Sequence, residues 1–240
     1  MRPPWLRADK CWFPPTCSAL EEPNGLLALG GDLSPTRLIN AYQRGIFPWY
    51  SEGQPILWWS PNPRVVIYPG QAHLSTSLKK FLRKSPWQVR IDQSFNEVTR
   101  QCAAPRRDSH GTWLLDEMQQ AYGQLHSLGV AHSIEVWDGN KLQGGLYGVS
   151  LGRVFFGESM FSRAENASKV ALVALSYLLK QADFALIDCQ VGNPHLFSMG
   201  AVQLQRAKFE AILQQHTLEP ASPWPSWSTL SFPCEYFIQP

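Results

Sequence analysis

The stretch AHSIEVWDGNKLQGGLYGVSLGRVFFGES, residues 131–159, places two short turns between three runs rich in β-branched and aromatic residues. The turns are Asp138-Gly139-Asn140 and Leu151-Gly152-Arg153. Strands joined by so few residues must run antiparallel, because a parallel return needs a crossover of about a dozen residues or more. The stretch therefore predicts a meander of strands over 133–138, 141–150 and 153–159. Residues 166–180 follow, with small or apolar side chains on most sides, which predicts a largely buried helix. Another strand is expected over 184–191 and an amphipathic helix over 206–216. A meander, a buried helix and a returning strand make an α+β domain.

Upstream, the chain is shorter in its elements and rich in Pro and Gly. SPTRLINAYQRG carries a helix, with Ser34 as N-cap, Pro35 at the first helical position and Gly45 as the stop. Pro61 and Pro63 mark a boundary between a small N-terminal domain, 1–62, and a larger domain, 63–240. Beyond it, 65–68 reads as a strand. HLSTSLKKFLRKSP reads as a helix ended by Pro86, with Leu74, Leu78, Phe81 and Leu82 on its apolar face.

Composition narrows the class. The chain has 240 residues, 44% hydrophobic and 17% charged, which is globular rather than disordered composition. Its five cysteines are odd in number and contain no C-x-x-C pair. That pattern argues against a zinc knuckle and a disulfide scaffold, and fits a reducing cytoplasm. No run of about 18 apolar residues is present to span a membrane. Net charge is only +2, yet the segment from His73 to Arg107 carries +6 and the remainder −4. Such asymmetry suggests an anionic partner at one place.

No phosphate-binding loop, H-E-x-x-H, G-x-S-x-G or G-x-G-x-x-G occurs, so nucleotide hydrolysis, zinc proteolysis and serine-esterase chemistry lose support. The chemistry collects instead at the end of the last strand. After Phe184-Ala185-Leu186-Ile187 come Asp188 and Gln190, which a regular strand would put on one face, with Cys189 opposite. A buried carboxylate and amide both need partners. Glu158 interrupts the apolar run VFFGESMF in the same way. Adjacent strands would gather Glu158, Asp188 and Gln190 at the mouth of an apolar pocket. A Cys189 nucleophile with His195 as base is the lesser reading, since buried Cys is usually core.

Several long segments resemble one family: PNGLLALGGDLSPTRLINAYQRGIFPWY, ILWWSPNPR, GTWL, AHSIEVW, GGLYGV, FFGESMFS, NASKVAL and LIDCQVGNPHLFSMGA. Together, and in order from about Pro23 to Ala201, they are similar to the leucyl/phenylalanyl-tRNA–protein transferases. The resemblance implies an α+β fold, with a small N-terminal domain and a C-terminal domain like the GCN5-related N-acetyltransferases. It implies transfer of Leu or Phe from leucyl-tRNA or phenylalanyl-tRNA to the α-amino group of proteins beginning with Arg or Lys. The product would carry the destabilising N-terminus of the bacterial N-end rule. Neither cofactor, metal nor membrane is implied.

Residue by residue, the resemblance carries the catalytic role to Asp188 as base or relay, to Gln190 as the orienting amide, and to Glu158 as a polar binding residue. An aminoacyl pocket is implied around Leu146, Phe155, Met160, Leu172, Leu175 and Leu179, and adenosine binding at Trp49 and Trp113. The basic helix residues Lys79, Lys80, Arg83 and Lys84 would contact tRNA phosphates. The chemistry is modest, because an aminoacyl ester is already activated and an α-amino group has a pKa of ~7.7–8.0. The alternatives are an acyl-CoA-dependent N-acyltransferase of the same fold, disfavoured by the lack of an [RQ]-x-x-G-x-[GA] run, and a non-catalytic RNA-binding module.

Overall fold

Two sheets divide the chain in sequence order. The computed structural model describes residues 2–104, 114–218 and 230–238. Strands β1 (Trp5–Leu6), β2 (Leu26–Gly30), β3 (Phe47–Pro48) and β4 (Leu57–Trp59) form a sheet in the order β1-β2-β4-β3. Between β2 and β3 lies α1 (Pro35–Gln43). As its sequence predicts, Ser34 caps it by accepting from Arg37 N, Pro35 opens it, and Gly45 follows with φ +71°.

The rest of the chain builds a second sheet. Its strands are β5 (Arg64–Ile67), β6 (Gln88–Ile91), β7 (Ala131–Asp138), β8 (Lys141–Leu151), β9 (Val154–Ser162), β10 (Leu186–Asp188), β11 (Val202–Leu204) and β12 (Ser231–Pro233). They lie in the order β11-β5-β10-β9-β8-β7-β6-β12. The meander β7-β8-β9 is antiparallel as expected, and β10 pairs with β9 in parallel after crossing through α5 (Ala167–Gln181). The remaining helices are α2 (Thr76–Lys84), α3 (Phe95–Ala103), α4 (Asp116–Ser127), α6 (Pro194–Ser198) and α7 (Arg206–His216). Three of these elements, β6, α3 and α4, lie between residues 87 and 130, where the sequence pattern raises no expectation. The buried stripes of the two helices are short, four residues each: Phe95, Val98, Thr99 and Cys102 on α3, and Met118, Ala121, Tyr122 and Leu125 on α4.

Side-chain alternation sorts the large sheet into two faces. Tyr147, Val149, Phe156 and Leu186 pack on one face against α1, α3, α4 and α7, in a core that continues into the N-terminal Trp58, Leu38 and Phe47. Leu146, Phe155 and Ile187 face the other way, onto α5, α2 and the last turn at Cys234–Ile238. Ten residues of α5 are buried. A lone helix of 15 residues is marginal in water, so that burial is what holds α5 in place. In α2, Leu78 and Leu82 are buried and Phe81 is half-buried; the helix opens at Thr76 behind its Ser75 cap, so Leu74, expected on its apolar face, lies before it and is half-buried. Among the described residues, no helix is long and apolar enough to cross a membrane.

Candidate active site

Strands β9 and β10 pair only as far as Phe156 and Asp188, and then part. The expected strand over 184–191 is thus cut short at Asp188. Gln190 adopts φ +61°, and Asn193 starts α6 by accepting from Leu196 N at 2.9 Å, with Pro194 at the first helical position. An Asn followed by Pro is a helix-start signal, and at Asn193-Pro194 it could have shown from the sequence that the strand does not run on. Beyond Asp188, β9 continues beside β8 alone. A cleft of about 1270 Å³ opens between β9 and the 189–196 segment.

A bulge aims Glu158 at this cleft. Tyr147 on β8 stands opposite Ser159 and Gly148 opposite Gly157, so Glu158 is the extra residue of β9. The bulge keeps Phe156 and Phe161 on one face, with Phe155 and Met160 on the other. Gly148 permits it: a Cβ there would stand 2.2 Å from the Phe156 carbonyl oxygen.

The Glu158 carboxylate accepts from the Tyr42 hydroxyl at 2.7 Å, the Tyr122 hydroxyl at 2.6 Å and the Gln190 side-chain amide at 2.7 Å. Tyr42 comes from α1 and Tyr122 from α4, so the site joins three regions of the chain. Burial pushes the Glu158 carboxyl up to about 7 and the nearby Asp188 charge adds to the rise; three hydrogen bonds donated separately to the ionised form would pull the other way. Burial, then the Glu158 charge, drive the Tyr42 and Tyr122 hydroxyls well above their ordinary range, so both remain neutral donors.

Asp188 is differently placed. Its side chain is fully buried, and both oxygens are held by Arg64, Nε to Oδ1 at 2.8 Å and Nη2 to Oδ2 at 2.6 Å. The backbone N–H of Gln190 donates to the same Oδ1 at 2.9 Å. Arg64 in turn donates to the Gly45 carbonyl and lies 4.8 Å from the ring centres of both Phe47 and Phe209. Asp188 and Gln190 therefore do not project jointly from a regular strand into the cleft, as alternation suggests. Gln190 lines the cleft; Asp188 is sealed beneath it.

The expected aminoacyl residues divide likewise. Leu146, Met160, Leu172 and Leu175 line the cleft, whereas Phe155 and Leu179 are wholly core and do not. Trp49 lines the cleft with 45% of its surface exposed and tilts against Trp59 at 5.8 Å. Trp113 lies outside the described residues. Lys79, Lys80, Arg83 and Lys84 are all exposed on α2, and none is ion-paired among the described residues. The Cys189 thiol is raised by burial and by Asp188, which leaves it a poor nucleophile.

Arg64, Tyr42 and Tyr122 did not stand out in the sequence. Tyr42 continues the Leu38 and Ala41 stripe and reads as core; Arg64 opens an apolar strand, where an isolated cation was the available sign.

Two family models match in sequence order. Residues 31–62 match the leucyl/phenylalanyl-tRNA protein transferase N-terminal domain, and residues 66–214 match leucyl/phenylalanyl-tRNA protein transferase. The chain belongs to that transferase family. Among curated relatives, the leucyl/phenylalanyl-tRNA–protein transferase of Cellvibrio japonicus is 56% identical over 90% of this chain and 92% of its own. Those of Idiomarina loihiensis and Pseudomonas fluorescens are 60% and 53% identical, covering 82% and 92% of this chain and 84% and 99% of theirs. A solved structure of a functionally unknown conserved protein from Staphylococcus epidermidis has a TM-score of 0.38 at 10% identity, over 75% of this chain and 68% of that one. Likeness at that level decides nothing about the fold. Membership of the family makes this chain a transferase.

Proposed function

We propose that the cleft holds the aminoacyl end of leucyl-tRNA or phenylalanyl-tRNA and that an incoming α-amino group attacks the ester there. One observation carries the reading: a carboxyl titrating near neutrality, Glu158, lies beside a wall of Leu146, Met160, Leu172 and Leu175. The apolar wall suits an aliphatic or aromatic side chain, though such a wall distinguishes one methylene by only ~1–3 kcal/mol. Holding amine and ester together supplies ~7–11 kcal/mol of the barrier.

In this reading Gln190 orients the amine or ester, and Asp188 acts through Gln190 and Arg64 rather than by meeting substrate. Glu158 attracts the incoming cationic N-terminus, and the side-chain charge of a first Arg or Lys adds to that attraction. Trp49 stacks on the terminal adenine, and Lys79, Lys80, Arg83 and Lys84 meet tRNA phosphates. A cytoplasmic setting follows from that substrate. The division at 62/63 is supported by the small sheet drawing only on residues 5–59 and the large one only on residues 64–233. Parallel strands that pair and then part over a cleft support the likeness to GCN5-related N-acetyltransferases.

The test offers labelled leucyl-tRNA, or acetyl-CoA, with a peptide beginning in Arg. Transfer from the tRNA supports the proposal. Transfer from acetyl-CoA alone, or tRNA binding without transfer, overturns it.

A further inference from the structure

The carboxylate and two hydroxyls around Glu158 pose a proton-counting problem. Besides the 2.7 Å and 2.6 Å contacts from Tyr42 and Tyr122 to Glu158, the two hydroxyl oxygens are themselves 2.7 Å apart. All three distances are those of O–H···O hydrogen bonds, and each such bond requires one proton. With Glu158 ionised, the two tyrosines supply only two protons. One of the three contacts is then a bare approach of two oxygens in a buried setting, which is costly. A third proton on Oε2 completes the cycle. Oε2–H donates to Tyr122, Tyr122 donates to Tyr42, and Tyr42 donates to Oε1, which also accepts from the Gln190 amide.

We infer that Glu158, Tyr42 and Tyr122 act as one cyclic proton-holding unit that accepts the proton released by the attacking amine. This rests on the transfer reading above. The nitrogen–carbonyl bond forms and the ester bond to the ribose oxygen breaks. The amine proton passes to Glu158, closes the ring, and is returned to the ribose oxygen, so the unit ends as it began and no further reactant is consumed. Glu158 is the catalytic group; Tyr42 and Tyr122 are positioning residues that set its affinity for the proton.

Other groups face the same carboxyl. Asp188 on β10 disfavours its ionisation, with Arg64 on β5 neutralising part of that charge. Tyr147 on β8 packs edge-on against Tyr122, and its hydroxyl is buried without a hydrogen-bond partner among the described residues. Cys102 on α3, Cys189, His195 and Arg163 line the same cleft. None of these closes the Tyr42–Tyr122 contact, which is why the third proton must come from the carboxyl.

Two pictures of the tyrosines then predict opposite results. If they were independent donors to a carboxylate, Tyr122→Phe would remove support from the ionised form and move the Glu158 titration to higher pH. In the cyclic unit the protonated form loses two hydrogen bonds, whereas the ionised form loses one and sheds the bare oxygen–oxygen contact, a relief that offsets the extra strength of that one charge-assisted bond. The titration therefore moves to lower pH by about one unit, the worth of one ordinary hydrogen bond. The experiment follows the side-chain carboxyl carbon by NMR in protein labelled at Glu, without substrate. The Glu158 signal is assigned by its absence in Glu158→Gln.

A downward shift in Tyr122→Phe and in Tyr42→Phe, each checked for folding by circular dichroism, supports the unit. An upward or absent shift overturns it. The unsubstituted protein provides a second readout if either variant fails to fold: a Glu158 titration in the ordinary carboxylate range overturns the unit outright. Because this measurement uses no tRNA, it stands or falls separately from the transfer assay, whose failure would sink only the proposed reaction.

Discussion

Replacing Arg64 by Met tests whether Asp188 is held as an ion-paired support beneath Gln190. The wild-type pair is bidentate, at 2.8 and 2.6 Å, with side-chain exposures of 1% and 0%. Methionine fills much of the arginine volume and keeps contact with Phe47 and Phe209, but leaves a buried carboxylate with one donor, the Gln190 N–H. Breaking such a pair from one side costs ~3–5 kcal/mol, because the remaining charge is desolvated and uncompensated. In a chain of this size each kcal/mol moves the melting temperature by ~2–4 °C, so melting should fall by roughly 6–20 °C. Differential scanning calorimetry at pH 7 reads this directly. The double variant Arg64→Met with Asp188→Leu should recover most of the loss, since an apolar pair of similar volume is often as stable as the ion pair it replaces. It should still transfer poorly, because Gln190 has lost the oxygen that anchors its backbone. A melting temperature within about 2 °C of wild type for the single variant would refute the reasoning. So would a fully active double variant.

Glu158→Gln should abolish transfer and also stabilise the fold at pH 8 more than at pH 5. The sign follows from linkage: a carboxyl raised to about 7 keeps its proton when the unfolded chain has released it, so stability falls as pH rises from the ordinary carboxylate range through 7. Urea titrations of both proteins at the two pH values check it. Gly148→Ala should disturb the bulge, because the new methyl meets the Phe156 carbonyl and the Phe155 ring; transfer should drop well before tRNA affinity does, as single-turnover and binding measurements would show. Changing Lys79, Lys80, Arg83 and Lys84 to Ala should weaken tRNA binding and reduce the slope of log K against log salt by ~0.7–0.9 for each phosphate no longer neutralised. Trp49→Ala should weaken binding of an aminoacyl-adenosine by ~1–3 kcal/mol in calorimetry, with Trp49→Phe recovering part of it.

The sequence by itself determined the local frame. Turns of two or three residues made β7, β8 and β9 antiparallel, Ser34 with Pro35 opened α1, and the nearly unbroken apolar surface of residues 167–179 required α5 to be buried. These outcomes depend on contacts between residues close in the chain, so the pattern of residue types suffices. The same holds for the interest of Glu158 and Gln190, polar groups set where an apolar strand cannot leave them without partners.

Tertiary structure decided what those partners are. Alternation cannot reveal that β10 stops at Asp188, that a bulge turns Glu158 toward α1 and α4, or that Arg64, 124 residues away, closes over Asp188. Tyr42 and Tyr122 lie 116 and 36 residues from the carboxyl they serve, and each reads locally as core. The rise of the Glu158 carboxyl to about 7 comes chiefly from removing water around it. That desolvation belongs to no single segment and exists only once the whole chain has closed on the site.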